Sequence, residues 1–210
     1  MLILIPARRN SKGLKFKNRR LFEFTVAEIP QDYLSKTYVS TDDEEIRDKA
    51  LQLCNVHDRT EEVSGDTAST LSLVRQFKDD LSLTGDEIIV MLYLTYPERT
   101  FKEVLDAVRF FKNNNLKSML CKKETKVSPY LQMFDLGNGK GRQIIKHNLY
   151  RRQDYPKTFE ISHYISIFKA SEIKNLNNNL YNVDTHFYDI EDKIDVDSKE
   201  DLERLKDGKN

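Results

Sequence analysis

The chain has 210 residues, which is enough for one ordinary domain with a buried core. Its 34 Lys and Arg residues balance its 34 Asp and Glu residues, so the net charge argues against a nucleic-acid-binding protein and against attachment to an anionic membrane. Cys54 and Cys121 lack CxxC spacing, and no apolar run is long enough to span a bilayer. A cytoplasmic protein with reduced cysteines is expected.

The first predicted element is a short buried strand over residues 2–5 that stops at Pro6. Ser11 and Gly13 lie in the loop that follows, and they supply a hydroxyl and backbone freedom where a polyanion could lie. The loop also carries a run of basic residues without an acidic one: Arg8, Arg9, Lys12, Lys15, Lys17, Arg19 and Arg20. A strand that feeds a basic, glycine-containing loop is typical of phosphate sites in α/β proteins. A solvated basic loop and a nucleic-acid contact patch remain open alternatives.

The order of residues in this loop narrows the choice. The chain reads Pro6-Ala7-Arg8, then Asn10-Ser11-Lys12-Gly13-Leu14, then Lys17-Asn18. This order resembles the opening signature of the acylneuraminate (CMP-sialic acid) cytidylyltransferases and of their relatives that act on other nonulosonic acids and on Kdo. Four further segments match over nearly the whole chain. The resemblance implies a CTP site that includes Ala7, Arg8, Asn10, Ser11, Lys12 and Asn18.

The next predicted elements form a scaffold. Residues 21–29 predict a short helix, after which the Gly-Lys-Pro-Leu segment of the resembled family is missing. Residues 36–40 predict a second strand, and the stretch Thr41-Asp42-Asp43-Glu44-Glu45 predicts the N-cap of a helix that ends near residue 53. The stretch 39–46 resembles the second motif of the family.

Residues 59–70, with the sequence RTEEVSGDTAST, form the third matching segment. The resemblance implies that Arg59 and Thr70 lie around the cytosine. Asp66 predicts the N-cap of the following helix. The apolar face of that helix is expected to be Leu71, Val74, Phe77 and Leu81.

The most hydrophobic run, residues 87–93, predicts a central strand. It leads into LTYPERT at 94–100, where the family has Gln-Pro-Thr-Ser-Pro-Leu-Arg-Thr. Tyr93 replaces the glutamine that the family associates with the acceptor sugar, and the resemblance places Tyr93 and Arg99 at the acceptor. Thr100 predicts the cap of a helix with one apolar face. That face consists of Phe101, Val104, Leu105, Val108 and Phe111.

A small lobe is expected at about residues 126–160, after a predicted strand over 118–122. A glycine-rich turn at 137–141 predicts a hairpin outside the main sheet. The resemblance implies that this lobe pairs two subunits, and that Arg152 and Gln153 contact the acceptor sugar. An exposed basic loop is the alternative for these two residues.

Residues 159–168 alternate like a half-buried strand. Here Ser162 to Ser166 replace the Asn-Gly-Ala-Ile-Tyr of the family, which is a second departure on the acceptor side. His163 could contact a substrate carboxylate, and a hydrogen-bonded structural histidine is the alternative.

The last matching segment is KIDVDSKEDL at 193–202. If this segment starts as a strand, Asp195 and Asp197 point to the same side and can share one cation. A loop with a helix cap is the alternative, and Ser198 predicts that cap.

Together these segments predict a single domain over residues 1–210. The fold class expected is α/β, a Rossmann-like three-layer nucleotidyltransferase with a mostly parallel sheet. The resemblance implies transfer of CMP from CTP to a nonulosonic sugar acid by direct attack on the α-phosphate, in a homodimer. The residues expected to act are Arg8, Lys12, Lys17 and Asp197, with Mg²⁺ on Asp195 and Asp197. The open alternatives are a different acceptor (pseudaminic acid, legionaminic acid or Kdo), another nucleotide, or a non-catalytic nucleotide-binding protein.

Overall fold

The computed structural model describes residues 1–10, 14–65, 67–125 and 127–207. The strands are β1 (Leu2–Ala7), β2 (Thr37–Thr41), β3 (Asn55–Asp58), β4 (Ile88–Met91), β5 (Ser118–Glu124), β6 (Met133–Asp135), β7 (Gly141–Gln143), β8 (Phe159–Lys169) and β9 (His186–Asp189). The helices are α1 (Lys17–Ala27), α2 (Gln31–Leu34), α3 (Glu44–Leu51), α4 (Glu61–Ser64), α5 (Thr70–Asp80), α6 (Phe101–Asn113) and α7 (Lys199–Asp207). Three short 3-10 turns lie at Pro129–Leu131, Arg152–Asp154 and Ala170–Asn175.

The main sheet has seven strands in the order β3-β2-β1-β4-β8-β5-β9. Six of them run in the same direction, and β8 is antiparallel to both of its neighbours, β4 and β5. The prediction of a mostly parallel sheet is therefore confirmed. The carboxyl ends of the six parallel strands meet at one edge, which we call the carboxyl edge, and β8 begins there.

The core lies on both faces of this sheet, which makes three layers. Ile3 and Ile5 of β1 pack with α1, α3 and α6, whereas Leu4 between them packs with α5 on the other face. The predicted face of α5 is buried at Leu71, Val74 and Phe77. In the described part of the chain, no helix is long and apolar enough to cross a membrane. Cys54 and Cys121 are both free thiols.

One helix cap lies inside the predicted stretch and another differs from the prediction. Within the stretch 41–45, Asp43 caps α3, because its carboxylate accepts bonds from two backbone amides of the first turn at 3.0 and 3.3 Å. Ser69 caps α5. The predicted cap of α5, Asp66, lies outside the described residues and three positions too early. Side chains that can cap are abundant in both segments, so composition alone did not choose between them.

The cap of α6 was predicted correctly. Thr100 accepts a bond from the backbone amide of Glu103, and the Glu103 carboxylate accepts one from the backbone amide of Thr100 at 2.8 Å, which forms a capping box. The same carboxylate accepts bonds from the hydroxyl of Tyr164 at 2.7 Å and from Lys193. Burial raises the pKa of Glu103, but these bonds outweigh burial and lower it to about 2.

We expect Thr100→Ala to lower the free energy of unfolding by about 1 kcal/mol, because α6 loses its cap. Thr60 is a matched control, since it precedes α4 without a side-chain capping bond. Thr60→Ala should change the free energy by less than about 0.5 kcal/mol. Urea denaturation measures both, and equal losses in the two variants would contradict the prediction.

Candidate active site

The loop between β1 and α1 spans residues 8–16 and begins at the carboxyl edge. We call it the basic loop. Ala7 at its start is fully buried, and Asn10 is exposed. The amide of Asn18, in the first turn of α1, donates to the carbonyl of Arg8 at 2.8 Å, which ties the two ends of the loop together. Ser11, Lys12 and Gly13 lie outside the described residues.

A cavity of about 330 Å³ opens beside this loop, and we call it the first cavity. It is lined by Pro6, Arg8, Lys17, Asn18, Arg59, Val63, Gly65, Ala68, Ser69, Thr70, Leu73, Tyr93, Leu94 and Thr95. Residues from the ends of β1 and β4 and from the start of α5 thus share one space. Six residues predicted to bind CTP or the acceptor, or to act in catalysis, lie together in it: Arg8, Lys17, Asn18, Arg59, Thr70 and Tyr93.

Arg59 brings a buried cation to this cavity. Its Nε is buried and has no hydrogen-bond partner among the described residues. Burial lowers the pKa of Arg59, and Asp42 acts in the opposite direction. A guanidinium stays protonated in proteins, and a buried donor without an acceptor lowers stability. The arrangement therefore suits a donor whose acceptor belongs to a ligand.

Tyr93 joins the first cavity to β8. Its hydroxyl donates to the hydroxyl of Thr70 at 3.0 Å, and its ring meets the ring of His163 edge-on with centroids 5.7 Å apart. Nδ1 of His163 is buried without a partner in the described part of the chain, and burial lowers the pKa of this histidine. The two positions that depart from the resembled family are therefore in contact with each other.

Asp195 and Asp197 reach the same region in an irregular segment and not in a strand, so the strand was predicted wrongly. Val196 between them is fully buried, and its amide donates to the carbonyl of Thr95 at 2.8 Å. Asp195 and Asp197 themselves are exposed. Asp195 accepts a bond from the hydroxyl of Tyr96 at 2.8 Å.

Lys17 and Asp197 form an ion pair with Nζ and Oδ1 2.5 Å apart. The Lys17 side chain is 10% exposed, whereas that of Asp197 is 70% exposed. Since Lys17 also lines the first cavity, this pair brings the acidic segment near the C-terminus to the mouth of the cavity. The two residues are 180 positions apart in the sequence.

A comparison with known proteins shows which family the chain belongs to. A family model described as cytidylyltransferase matches residues 2–207. The chain belongs to the cytidylyltransferase family. This cytidylyltransferase is 26% identical over 220 residues to the post-translational flagellin modification protein B of Campylobacter coli, with 96% of this chain and 92% of that protein covered.

Solved structures share the fold of this cytidylyltransferase. A CMP:2-keto-3-deoxy-manno-octonic acid synthetase complexed with CTP matches with a TM-score of 0.66 and 13% identity, covering 99% of this chain and 97% of the other. A cytidylyltransferase from Leptospira borgpetersenii matches with a TM-score of 0.56 and 17% identity, covering 98% and 84%. These likenesses confirm the nucleotidyltransferase fold.

Asp195 and Asp197 of the cytidylyltransferase suit a magnesium ion whose other ligands are substrate phosphates and water. Among the residues that the structure describes, no group of three or more His, Cys, Asp or Glu side chains could hold a metal. Mg²⁺ is usually bound by one or two carboxylates together with substrate phosphates and water. Asp195 and Asp197 are both exposed, and Asp197 pairs with Lys17 of the first cavity, so these two carboxylates suit an ion that is also bound by phosphates in that cavity.

Arg99 of the cytidylyltransferase is directed into the fold. It is 4% exposed, and its guanidinium donates to the carbonyls of Tyr164 and Tyr93 at 2.7 and 2.8 Å. Burial lowers its pKa to about 10. These bonds hold the end of β4 against β8 and thereby position Tyr93. In this structure they engage Arg99 with backbone and not with the first cavity.

Arg152 and Gln153 of the cytidylyltransferase lie elsewhere. Arg152 lines a second cavity of about 920 Å³, which we call the second cavity, together with Lys122, Tyr155, Phe159 and Asp189. Gln153 is exposed. Because the second cavity includes the ends of β5 and β9 and the start of β8, it lies farther along the same carboxyl edge. Neither residue lines the first cavity.

Sequence reasoning missed Tyr96. This residue is buried, and its hydroxyl holds Asp195 while it also contacts the hydroxyl of Ser162 at 3.3 Å. The only signal was its place between the matching residues Thr95 and Pro97. Its partner comes from a segment 99 positions away, which no local pattern predicts.

We expect Arg99→Met to lower the free energy of unfolding by about 3 kcal/mol, because two backbone carbonyls lose their donors. Arg109→Met is the matched control, since Arg109 is 69% exposed on α6 and should contribute less than about 0.5 kcal/mol. Urea denaturation measures both variants. A stable Arg99→Met protein with a raised KM for the acceptor would instead assign the guanidinium to ligand binding.

Proposed function

We propose that this cytidylyltransferase transfers CMP from CTP to a nonulosonic, sialic-type sugar acid and releases pyrophosphate. The observation that carries the proposal is the contact between Lys17 and Asp197, since it puts a cation of the first cavity beside the proposed metal carboxylates. Transfer of a nucleotidyl group needs cations for the phosphates, a metal for the leaving pyrophosphate and an oxygen placed near the α-phosphorus.

The side chains that line the first cavity suit the two halves of CTP. Arg8 and Lys17 would hold phosphate oxygens, and Lys12 of the basic loop is proposed to assist them. Arg59 and Thr70 would meet the base, for which Arg59 has the buried donor described above. An arginine offers a planar two-point contact, which suits the edge of cytosine.

Asp195 and Asp197 would hold Mg²⁺, which when bound neutralises phosphate charge and lowers the pKa of an attacking hydroxyl. The acceptor hydroxyl would release its proton to solvent, and its oxygen would form a bond to the α-phosphorus while the bond from that phosphorus to the bridging oxygen breaks and pyrophosphate leaves with the bonding electrons. Lys17 would keep its ammonium close to the oxygens that gain charge in this step.

Direct displacement, without a covalent enzyme intermediate, is the step we propose. The described residues include a Ser-His-Asp array, but its serine does not reach the first cavity. Ser40 lies 2.9 Å from Nδ1 of His57, and Nε2 of His57 lies 3.1 Å from Asp80. Such an array was not predicted from the sequence. Ser40 is fully buried where β2 pairs with β3, so its hydroxyl does not meet the first cavity and the array supports the fold.

The identity of the acceptor is the open part of the proposal. The contact between Tyr93 and His163 replaces two family positions together, and this favours a related acid such as pseudaminic acid, legionaminic acid or Kdo over sialic acid itself. Arg152 lines the second cavity at the same carboxyl edge, and the exposed Gln153 is its neighbour in the chain. We propose that these two residues meet the acceptor carboxylate there.

The test is pyrophosphate release with CTP and Mg²⁺ against a panel of nonulosonic acids and Kdo. ATP, GTP and UTP are the nucleotide controls. Release with CTP and a single acid is expected if the chain has the proposed specificity. No release and no rise in melting temperature with CTP would contradict the proposed function.

Asp197→Ala should reduce pyrophosphate release at limiting Mg²⁺ by about 100-fold or more, since the site loses one of the two carboxylates proposed to hold the ion that neutralises the phosphates. Asp184→Asn is the control, because Asp184 precedes β9 at the opposite edge of the sheet and should leave the rate unchanged. A wild-type rate in Asp197→Ala would remove this carboxylate from the reaction.

We also propose that the lobe between β5 and β8 pairs two copies of the chain. Its β6–β7 hairpin forms a separate two-stranded sheet, which is marginally stable alone in water. Most exposed large apolar side chains of the described residues belong to the lobe and its base: Val127, Leu131, Met133, Phe134, Leu136, Ile144, Leu149, Tyr150, Phe159 and Ile161. A second copy would cover this face.

The double variant Leu131→Asp, Leu136→Asp is expected to shift the protein from dimer to monomer in sedimentation velocity, because charges would enter the apolar contact. Val183→Asp is the control, since Val183 is fully exposed outside the lobe. A wild-type protein that sediments as a monomer would contradict the pairing.

A further inference from the structure

The segment Thr41-Asp42-Asp43, which ends β2 and leads into α3, contacts both flanks of the basic loop. We propose that this segment positions the basic loop for the triphosphate, and that Asp42 is the residue whose main task is this positioning. The inference rests on the proposed function, since it concerns how the same site holds CTP. Asp42 was predicted only as part of a helix cap, which it is not.

The first flank of the loop is fixed where β1 ends. Ala7 pairs with Thr41 in the parallel register, and the hydroxyl of Thr41 donates to the carbonyl of Ala7 at 2.6 Å. The backbone amide of Arg9 then donates to Oδ1 of Asp42 at 2.7 Å. The peptide units on both sides of Arg8 are therefore held by the Thr41-Asp42 pair. The carbonyl of Arg8 itself accepts the bond from Asn18.

The second flank is fixed in the first turn of α1. The carboxylate of Asp43 is 1% exposed and accepts bonds from Nε of Arg19 at 2.8 and 3.1 Å. Arg19 follows directly after Lys17 and Asn18, which both line the first cavity. The contact with Asp43 therefore sets how the first turn of α1 presents these two side chains.

Asp42 can be separated from its neighbours by its contacts. Asp43 also caps α3, and Thr41 is buried in β2, so a change at either position affects folding. The carboxylate of Asp42 instead accepts its bond from the loop and lies close enough to Arg59 to act on its charge. A negative charge beside a triphosphate would weaken binding of CTP by repulsion. Its presence here is consistent with a positioning role that outweighs this repulsion.

The experiment compares Asp42→Ala and Asp42→Asn by calorimetric titration with CTP. If Asp42 positions the loop, Asp42→Ala should raise the Kd for CTP by about tenfold, whereas Asp42→Asn keeps an acceptor oxygen and should stay within about threefold of wild type. The KM for the acceptor should not change in either variant. Asp58→Ala is the matched control, because Asp58 ends the neighbouring strand β3 and contacts Arg47 at the surface.

A lower Kd for CTP in both variants would overturn the inference, since it would show that Asp42 acts only as a negative charge near the phosphates. An unchanged Kd in Asp42→Ala would overturn the positioning role as well. Hydrogen exchange in the wild-type protein adds a test without a variant, since the Arg9 amide should be protected and rapid exchange would refute the contact. Wild type that binds no CTP would refute the proposed function instead.

Discussion

The parallel direction of six strands in the main sheet is the constraint on which the site depends. It collects the carboxyl ends of these strands at one edge, so residues from β1, β2 and β4 meet there although they are far apart in the chain. The ion pair of Lys17 and Asp197 then joins the segment before α7 to the start of α1 at this edge. Without the shared direction of β1 and β4, Arg8 and Tyr93 would lie at opposite edges of the sheet, and no common cavity would form.

The polar groups buried at this edge fall into two kinds. Arg99 is satisfied by two backbone carbonyls and therefore stabilises the junction between β4 and β8. The Nε of Arg59 and the Nδ1 of His163 have no partners among the described residues. Unsatisfied groups of this kind reduce stability. Arg59 lines the first cavity, where a bound ligand would supply its missing partner, whereas His163 meets this cavity only through the ring of Tyr93.

Sequence patterns predicted the elements well where the signal was local. The apolar periodicity of α5 and α6 and the cap at Thr100 depend on residues within one or two turns, and all appear in the structure. The antiparallel direction of β8 was not predicted, because alternation of apolar residues says nothing about the direction of a strand. The same limit applies to the hydrogen bonds of Arg99, which the resemblance places at the acceptor: its guanidinium donates to backbone carbonyls 6 and 65 positions away, and no local pattern predicts those partners.

The contacts of the candidate site that were missed are all contacts between distant segments. Tyr96 holds Asp195, and Asp42 holds the amide of Arg9, although each seemed part of a local loop or cap in the sequence. Tyr93 and His163 could each be identified as a departure from the resembled family, but only the fold reveals that they touch. Because the two rings pack against each other, a change in the size of one alters the space left for the other. Tyr93 also bonds to Thr70 and lines the first cavity, so this pair of departures reaches the same space as Arg8, Lys17 and Arg59.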